Sequence, residues 1–158
     1  MLTPSLQDIK AEITALPHKE LVQLCLQLAK FSKNNKELLG FLLFGSENLA
    51  GFIAEVNAVV SAQFDALPSS LYLAKKGIRK ISQQLNKYQR YAKNPQVEVE
   101  TLLNFCQRMK ELPFKFSRYP ALQNLYESQL QKIEKNVAVL HPELNYDYAR
   151  ILADLRPG

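Results

Sequence analysis

Apolar residues in this chain recur at intervals of three and four, interrupted by proline, glycine and short polar clusters. That rhythm predicts about eight helices and leaves no stretch of alternating Val, Ile and Thr that would ask for a strand. The first helix is expected from about Pro4 to Leu16, with Leu6, Ile9, Ile13 and Leu16 on one side. Thr3 is placed to cap it with Pro4 in the first helical position, and Ser5 with Asp8 offers a second capping arrangement. The second, about His18 to Ser32, aligns Leu21, Leu24, Cys25, Leu28 and Phe31, widened by Val22 and Leu26. The third, Lys36 to Phe44, is short and apolar almost all round, which predicts a central position. Ser46 is placed to cap a fourth, about Glu47 to Leu67, with Leu49, Phe52, Ile53, Val56, Val59, Val60 and Phe64 inward.

The next segment is the most informative. Pro68-Ser69-Ser70 supplies a start, with a serine as N-cap, and Asn94-Pro95 a stop. Between them lie Lys75, Lys76, Arg79, Lys80, Lys87, Arg90 and Lys93, and no acidic residue. At about 100° per residue the seven cations share an arc of about 140°. Leu71, Ala74, Ile78, Ile81, Leu85, Tyr88 and Ala92 occupy the opposite side, and Leu73 lies at its edge. The pattern predicts an amphipathic helix with one buried face. Gly77 falls on the buried side, where a neighbour is expected to approach closely.

Three more helices follow. Gln96 to Leu112 carries Val99, Leu102, Leu103, Cys106 and Met109. Pro120 to Leu140 carries Leu122, Leu125, Tyr126, Gln129, Ile133, Val137 and Leu140, and Glu143 to Leu155 comes last. The only sizeable connection, Phe114-Lys115-Phe116-Ser117-Arg118-Tyr119, alternates aromatic and basic residues. Either Phe114 and Phe116 plug the end of a bundle while Lys115 and Arg118 face water, or the loop stacks on bases and contacts phosphates. Short connections imply antiparallel neighbours. The expected fold is therefore all-α, a single domain over 1–158 of seven to eight mostly antiparallel helices. It is read as a helical bundle, or alternatively a short HEAT-like α-solenoid. The Lys19-Glu20-Leu21 and Lys36-Glu37-Leu38 echo suits the solenoid or reflects common helix-start chemistry.

Composition sharpens this picture. A chain of 158 residues with 47% hydrophobic content is large enough for a real core. The net charge is +5, so the seven cations of one helix exceed it by two and the rest of the chain is net negative. Basicity is thus local, a statement about what one surface attracts. The longest apolar run, Leu38 to Phe44, is far short of the about 20 residues a bilayer span needs. The start of the chain lacks the basic-then-apolar layout of a signal peptide, and a cytoplasmic setting is expected. Cys25 and Cys106 each lie in an apolar helical stripe, which predicts reduced core cysteines.

Groups for catalysis do not converge in the sequence. His18 and His141 stand beside prolines at helix boundaries, no Cys or His pair has zinc spacing, and Glu98 and Glu100 point to different faces. Five scattered glycines build no phosphate-cradling loop. No cofactor or metal is expected.

The strings Lys19-Glu20-Leu21-Val22, Leu28-Ala29-Lys30-Phe31 and Lys36-Glu37-Leu38-Leu39 resemble small all-helical bacterial proteins of unknown function, as do Leu125-Tyr126 and His141-Pro142-Glu143-Leu144. The resemblance implies an all-α fold and a bacterial, cytoplasmic setting, and carries over no site residue. The leading expectation is a non-enzymatic interaction module whose basic face meets an acidic protein. The alternatives are a nucleic-acid-associated protein using the same face, with Tyr72 as a stacking group, and a small enzyme with a site invisible in sequence. A membrane surface is disfavoured, because the apolar arc is needed for the core and no Trp anchors an interface. Water is the plainest partner for the cations, and Glu127 and Glu134 are the acids that would neutralise them internally.

Overall fold

The computed structural model describes residues 2–156, which are all-helical. The described residues hold eight α-helices, one π-helical turn and one 3-10 turn, joined by short connections, with no strand among them. Contacts cluster into two compact units, Met1–Phe44 and Gly45–Gly158.

In the first unit, α1 spans Leu6–Thr14, α2 His18–Phe31 and α3 Lys33–Gly40. Ser5, not Thr3, caps α1. Its hydroxyl accepts the Asp8 N–H at 3.1 Å, and the Asp8 carboxylate accepts the Ser5 N–H at 3.4 Å. This reciprocal arrangement satisfies two orphan donors, where Thr3 could satisfy one. Ser32 caps α3 by accepting the Asn35 N–H at 3.1 Å, so the helix starts three residues before the expected Lys36. The Asn35 amide donates to the Leu28 carbonyl at 2.8 Å and ties the end of α2 to the first turn of α3, which pack together.

The expectation that residues 36–44 lie centrally is overturned. Of the apolar side chains in the π-helical turn Phe41–Gly45, only Phe41 is buried, while Leu42, Leu43 and Phe44 are 56%, 57% and 76% exposed. Four consecutive apolar residues sweep the whole circumference of a turn, and one neighbour covers only one of those directions. Cys25, expected in a core, is also exposed.

The second unit holds the hydrophobic core. It comprises α4 (Leu49–Asp65), α5 (Leu71–Ala92), α6 (Pro95–Lys110), the 3-10 turn Phe116–Arg118, α7 (Pro120–Val137) and α8 (Pro142–Leu155). Helix α6 is the axis, packing against α4, α5, α7 and α8. Thr101, Leu102 and Leu103 are buried in succession, and steps of about 100° per residue mean that the middle of α6 is covered around more than half of its circumference. The expected stripe is buried as read, joined by Val97, Thr101 and Phe105. Ile53, Val56, Val60 and Phe64 of α4 face it, and the Phe64 and Phe105 rings meet edge to face at 5.4 Å. Val59, expected inward, is 39% exposed because it falls a quarter turn off the Val56–Val60 line.

Two of the helices start on asparagine caps. Asn48, rather than Ser46, caps α4 by accepting the Gly51 N–H at 3.0 Å. A Cβ at position 51 would sit 2.5 Å from the Asn48 amide, so Gly51 is what lets this cap close. Between α5 and α6, Lys93 adopts the left-handed conformation (φ 46°, ψ 47°) and ends α5. Asn94 then accepts the Gln96 and Val97 N–H groups at 2.9 and 3.2 Å, with Pro95 in the first turn. The expected stop signal therefore also starts the next helix. The close approach at Gly77 is made by Leu67, whose terminal methyl lies 2.5 Å from where a Cβ would stand.

A buried polar pair fixes α5 against α6. The Gln89 amide donates to the Thr101 hydroxyl at 3.0 Å, and that hydroxyl donates to the Val97 carbonyl at 2.7 Å. Thr101→Ala is expected to leave the amide unpaired and cost about 1–3 kcal/mol in urea unfolding. Combining Gln89→Leu with Thr101→Val should recover most of that loss, and a double variant no more stable than Thr101→Ala would refute the coupling. Lys93→Gly is expected to stabilise by about 1 kcal/mol, seen as a Tm rise of a few degrees, because glycine adopts φ near 46° without strain.

Candidate functional site

Helix α5 turns one arc to the core and the other outward. Ala74, Ile78, Ile81, Ser82, Leu85 and Gln89 are its buried residues, a band narrower than hydropathy alone drew. Leu73, on the edge of the predicted apolar arc beside Lys80, is 49% exposed. Among the seven cations, Lys76, Arg79, Lys80, Arg90 and Lys93 are exposed, and Lys75 and Lys87 are half-buried.

Three lysines rest on tyrosine rings. The Lys75 ammonium lies 4.1 Å from the Tyr119 ring centre, Lys76 lies 4.6 Å from Tyr72, and Lys87 lies 5.1 Å from Tyr88. Ring quadrupoles hold ammonium groups without neutralising them. The Lys75–Tyr119 contact also places the aromatic connection beside the helix. In that connection Phe114, Phe116 and Tyr119 pack on the core, Phe114 edge-on to Tyr119 at 6.0 Å and Phe116 tilted on Tyr126 at 4.9 Å. Lys115 and Arg118 are exposed.

Among the described residues, Arg79, Lys80, Arg90 and Lys93 form no salt bridge, and the two acids named for that role are engaged elsewhere. Glu127 accepts from the Gln123 amide at 2.8 Å, and Glu134 pairs with Arg156.

One cluster escaped the sequence reading. Asn57, Ser61 and Asp65 stand one turn apart on α4 and meet Asn104 and Arg108, one turn apart on α6. Arg108 pairs with Asp65 and with Glu111 at 2.9 Å, and its Nε is buried without a partner. The available signal was the i, i+4 spacing of polar residues on an otherwise apolar helix. Its geometry joins two helices, with the guanidinium matched by two carboxylates.

The histidines stay apart. His18 is exposed in the first turn of α2, and His141 caps α8, its Nδ1 accepting the Glu143 N–H at 3.3 Å. No group of three or more His, Cys, Asp or Glu among the described residues is placed to hold a metal ion, and no helix there is long and apolar enough to cross a membrane.

Buried protons are held tightly. Burial pushes the Cys106 thiol up to about 12. The Tyr126 phenol is also pushed up to about 12, by burial first and then by Cys106, and it donates to the Leu155 carbonyl. Tyr148 is raised to about 12 by burial and by the neighbouring Glu100 carboxylate. The Cys106 thiol is thus an inert core group, as its stripe position predicted. Comparison with protein-family models, curated proteins and solved structures returns no match.

These protons give an alkaline prediction. Each folded-state value lies above its unfolded one, near 9 for the thiol and 10 for the phenols, so the stabilisation is complete below about pH 9. It is lost as pH rises toward 12. The urea midpoint should hold steady from neutrality to about pH 9 and then fall, and Cys106→Ala should flatten the early part of that fall. A thiol reagent at pH 8 should label Cys25 in the native protein and reach Cys106 only after unfolding.

Proposed function

We propose that this protein is a non-enzymatic interaction module whose α5 face binds an acidic protein segment. The observation that carries the reading is a row of exposed cations, from Lys76 to Lys93, whose Arg79, Lys80, Arg90 and Lys93 form no salt bridge among the described residues. The row runs about 25 Å along one helix, a length suited to an extended or helical acidic segment. Complementary charge of this kind speeds encounter and fixes register more than it adds affinity.

Acidic side chains suit the face better than nucleic acid for a stated reason. Base stacking needs open rings, and Tyr72, Tyr88 and Tyr119 each already carry a lysine from the same chain. A base is therefore left at most one face of each ring to stack on.

Titration with a fluorescent oligoglutamate peptide and with a single-stranded oligonucleotide of equal charge tests this reading. The peptide should bind more tightly at low salt, and affinity should fall about tenfold or more in the Lys76→Glu, Arg79→Glu, Lys80→Glu triple variant with Tm unchanged. Peptide binding that survives the triple change would refute the face as the site, and preference for the oligonucleotide would transfer the reading to nucleic acid.

A further inference from the structure

A second site lies at the end of the 45–158 unit, with no α5 residue in its lining. A cleft of about 740 Å³ opens where the end of α6, the aromatic connection, the start of α7 and the end of α8 meet. Its walls are apolar, built from Leu112, Phe114, Phe116 and Leu155 with the Tyr126 ring behind. Three cations line it, Lys110, Lys115 and Arg118, and no carboxylate side chain does. The volume is that of a small-molecule site, where an apolar body is gripped by side chains and a few polar groups orient it.

The three cations are not equivalent. Lys110 is engaged, its ammonium donating to the Asp154 carbonyl at 2.9 Å, and with the Tyr126 hydroxyl on the Leu155 carbonyl it satisfies the end of α8. Lys115 and Arg118 are exposed and form no salt bridge among the described residues. They stand three apart across a 3-10 turn, closed by the Arg118 N–H on the Lys115 carbonyl at 3.2 Å, and that spacing puts both on one side. The turn is anchored because Phe116 is seated on Tyr126 and Tyr119 lies under Lys75. The cationic pair is therefore carried on a fixed support at the rim of an apolar cleft.

We propose that this cleft binds an amphipathic monocarboxylate of the fatty-acid type, its alkyl chain against Phe114, Phe116 and Leu112 and its carboxylate between Lys115 and Arg118. Apolar walls select the chain, and the unmatched pair selects the anion over a neutral analogue. The site is independent of the acidic-partner reading, since the α5 row contributes no lining residue.

The test is calorimetric titration of the full chain with dodecanoate below its micellar concentration, with dodecanol and acetate as controls. One saturable site is expected, with dodecanol and acetate each weaker by about tenfold or more. Lys115→Glu with Arg118→Glu should weaken dodecanoate by about tenfold or more, and the milder Lys115→Gln with Arg118→Gln should weaken it in the same direction. Lys80→Glu on α5 should change it by less than about twofold. Melting curves of both pairs establish that they fold. The proposal is overturned if dodecanoate shows no saturable binding, if dodecanol binds equally well, or if the folded Gln pair keeps full affinity. Binding lost equally in Lys80→Glu would also overturn it, by assigning the ligand to the α5 face.

Discussion

The enclosure of α6 is the constraint on which the rest of the 45–158 unit depends. A helix with Thr101, Leu102 and Leu103 all buried needs neighbours around most of its circumference, and α4, α5, α7 and α8 supply them. Each neighbour then owes the core only one stripe and is left with an outer face. For α5 that division is sharp, with Ile78, Ile81 and Leu85 inside and the cations outside. The basic face is thus a consequence of packing as much as of charge, because a helix at the periphery can carry seven like charges that an enclosed one could not.

Polar groups inside this arrangement specify how the helices meet. Apolar packing alone tolerates sliding, whereas a buried amide must find its partner or lose its hydrogen bond. Gln89 and Thr101 lock α5 to α6 in this way, and the Asn57–Ser61–Asp65 row does so for α4 through Asn104 and Arg108. Arg108 between two carboxylates joins helices rather than offering a charge to solvent. On α5, Arg79, Lys80, Arg90 and Lys93 form no salt bridge among the described residues, which is why the two sets of charges have different meanings.

The aromatic connection closes one end of the unit. Its rings face inward and close the core, while its cations face outward, and Tyr119 reaches Lys75 on α5. This packing matches the sequence reading in which Phe114 and Phe116 plug the bundle while Lys115 and Arg118 face water. Phe114 and Phe116 do plug the end of the bundle, and the same plug forms the wall of a cleft rimmed by Lys115 and Arg118.

Much of the helical order was legible in the chain, because three-four periodicity and proline placement are local properties that a helix needs whatever surrounds it. The α5 wheel put all seven cations on one arc, and the α6 stripe from Val99 to Met109 is buried as read. Caps were less legible, since Thr3, Ser5, Ser46 and Asn48 are all competent and only the local hydrogen bonding, with Asp8 for Ser5 and Gly51 for Asn48, chooses among them. Depth was not legible at all. Residues 38–44 look more apolar than most of α6, yet Leu42, Leu43 and Phe44 are exposed while polar Thr101 and Gln89 are buried. Hydropathy states what a side chain gains from burial, and only the packing of neighbours decides which side chains receive it. The same holds for the charges: the sequence determined that seven cations share a face, and the folded structure decided that Glu127 and Glu134 engage Gln123 and Arg156, with Arg79, Lys80, Arg90 and Lys93 in no salt bridge among the described residues.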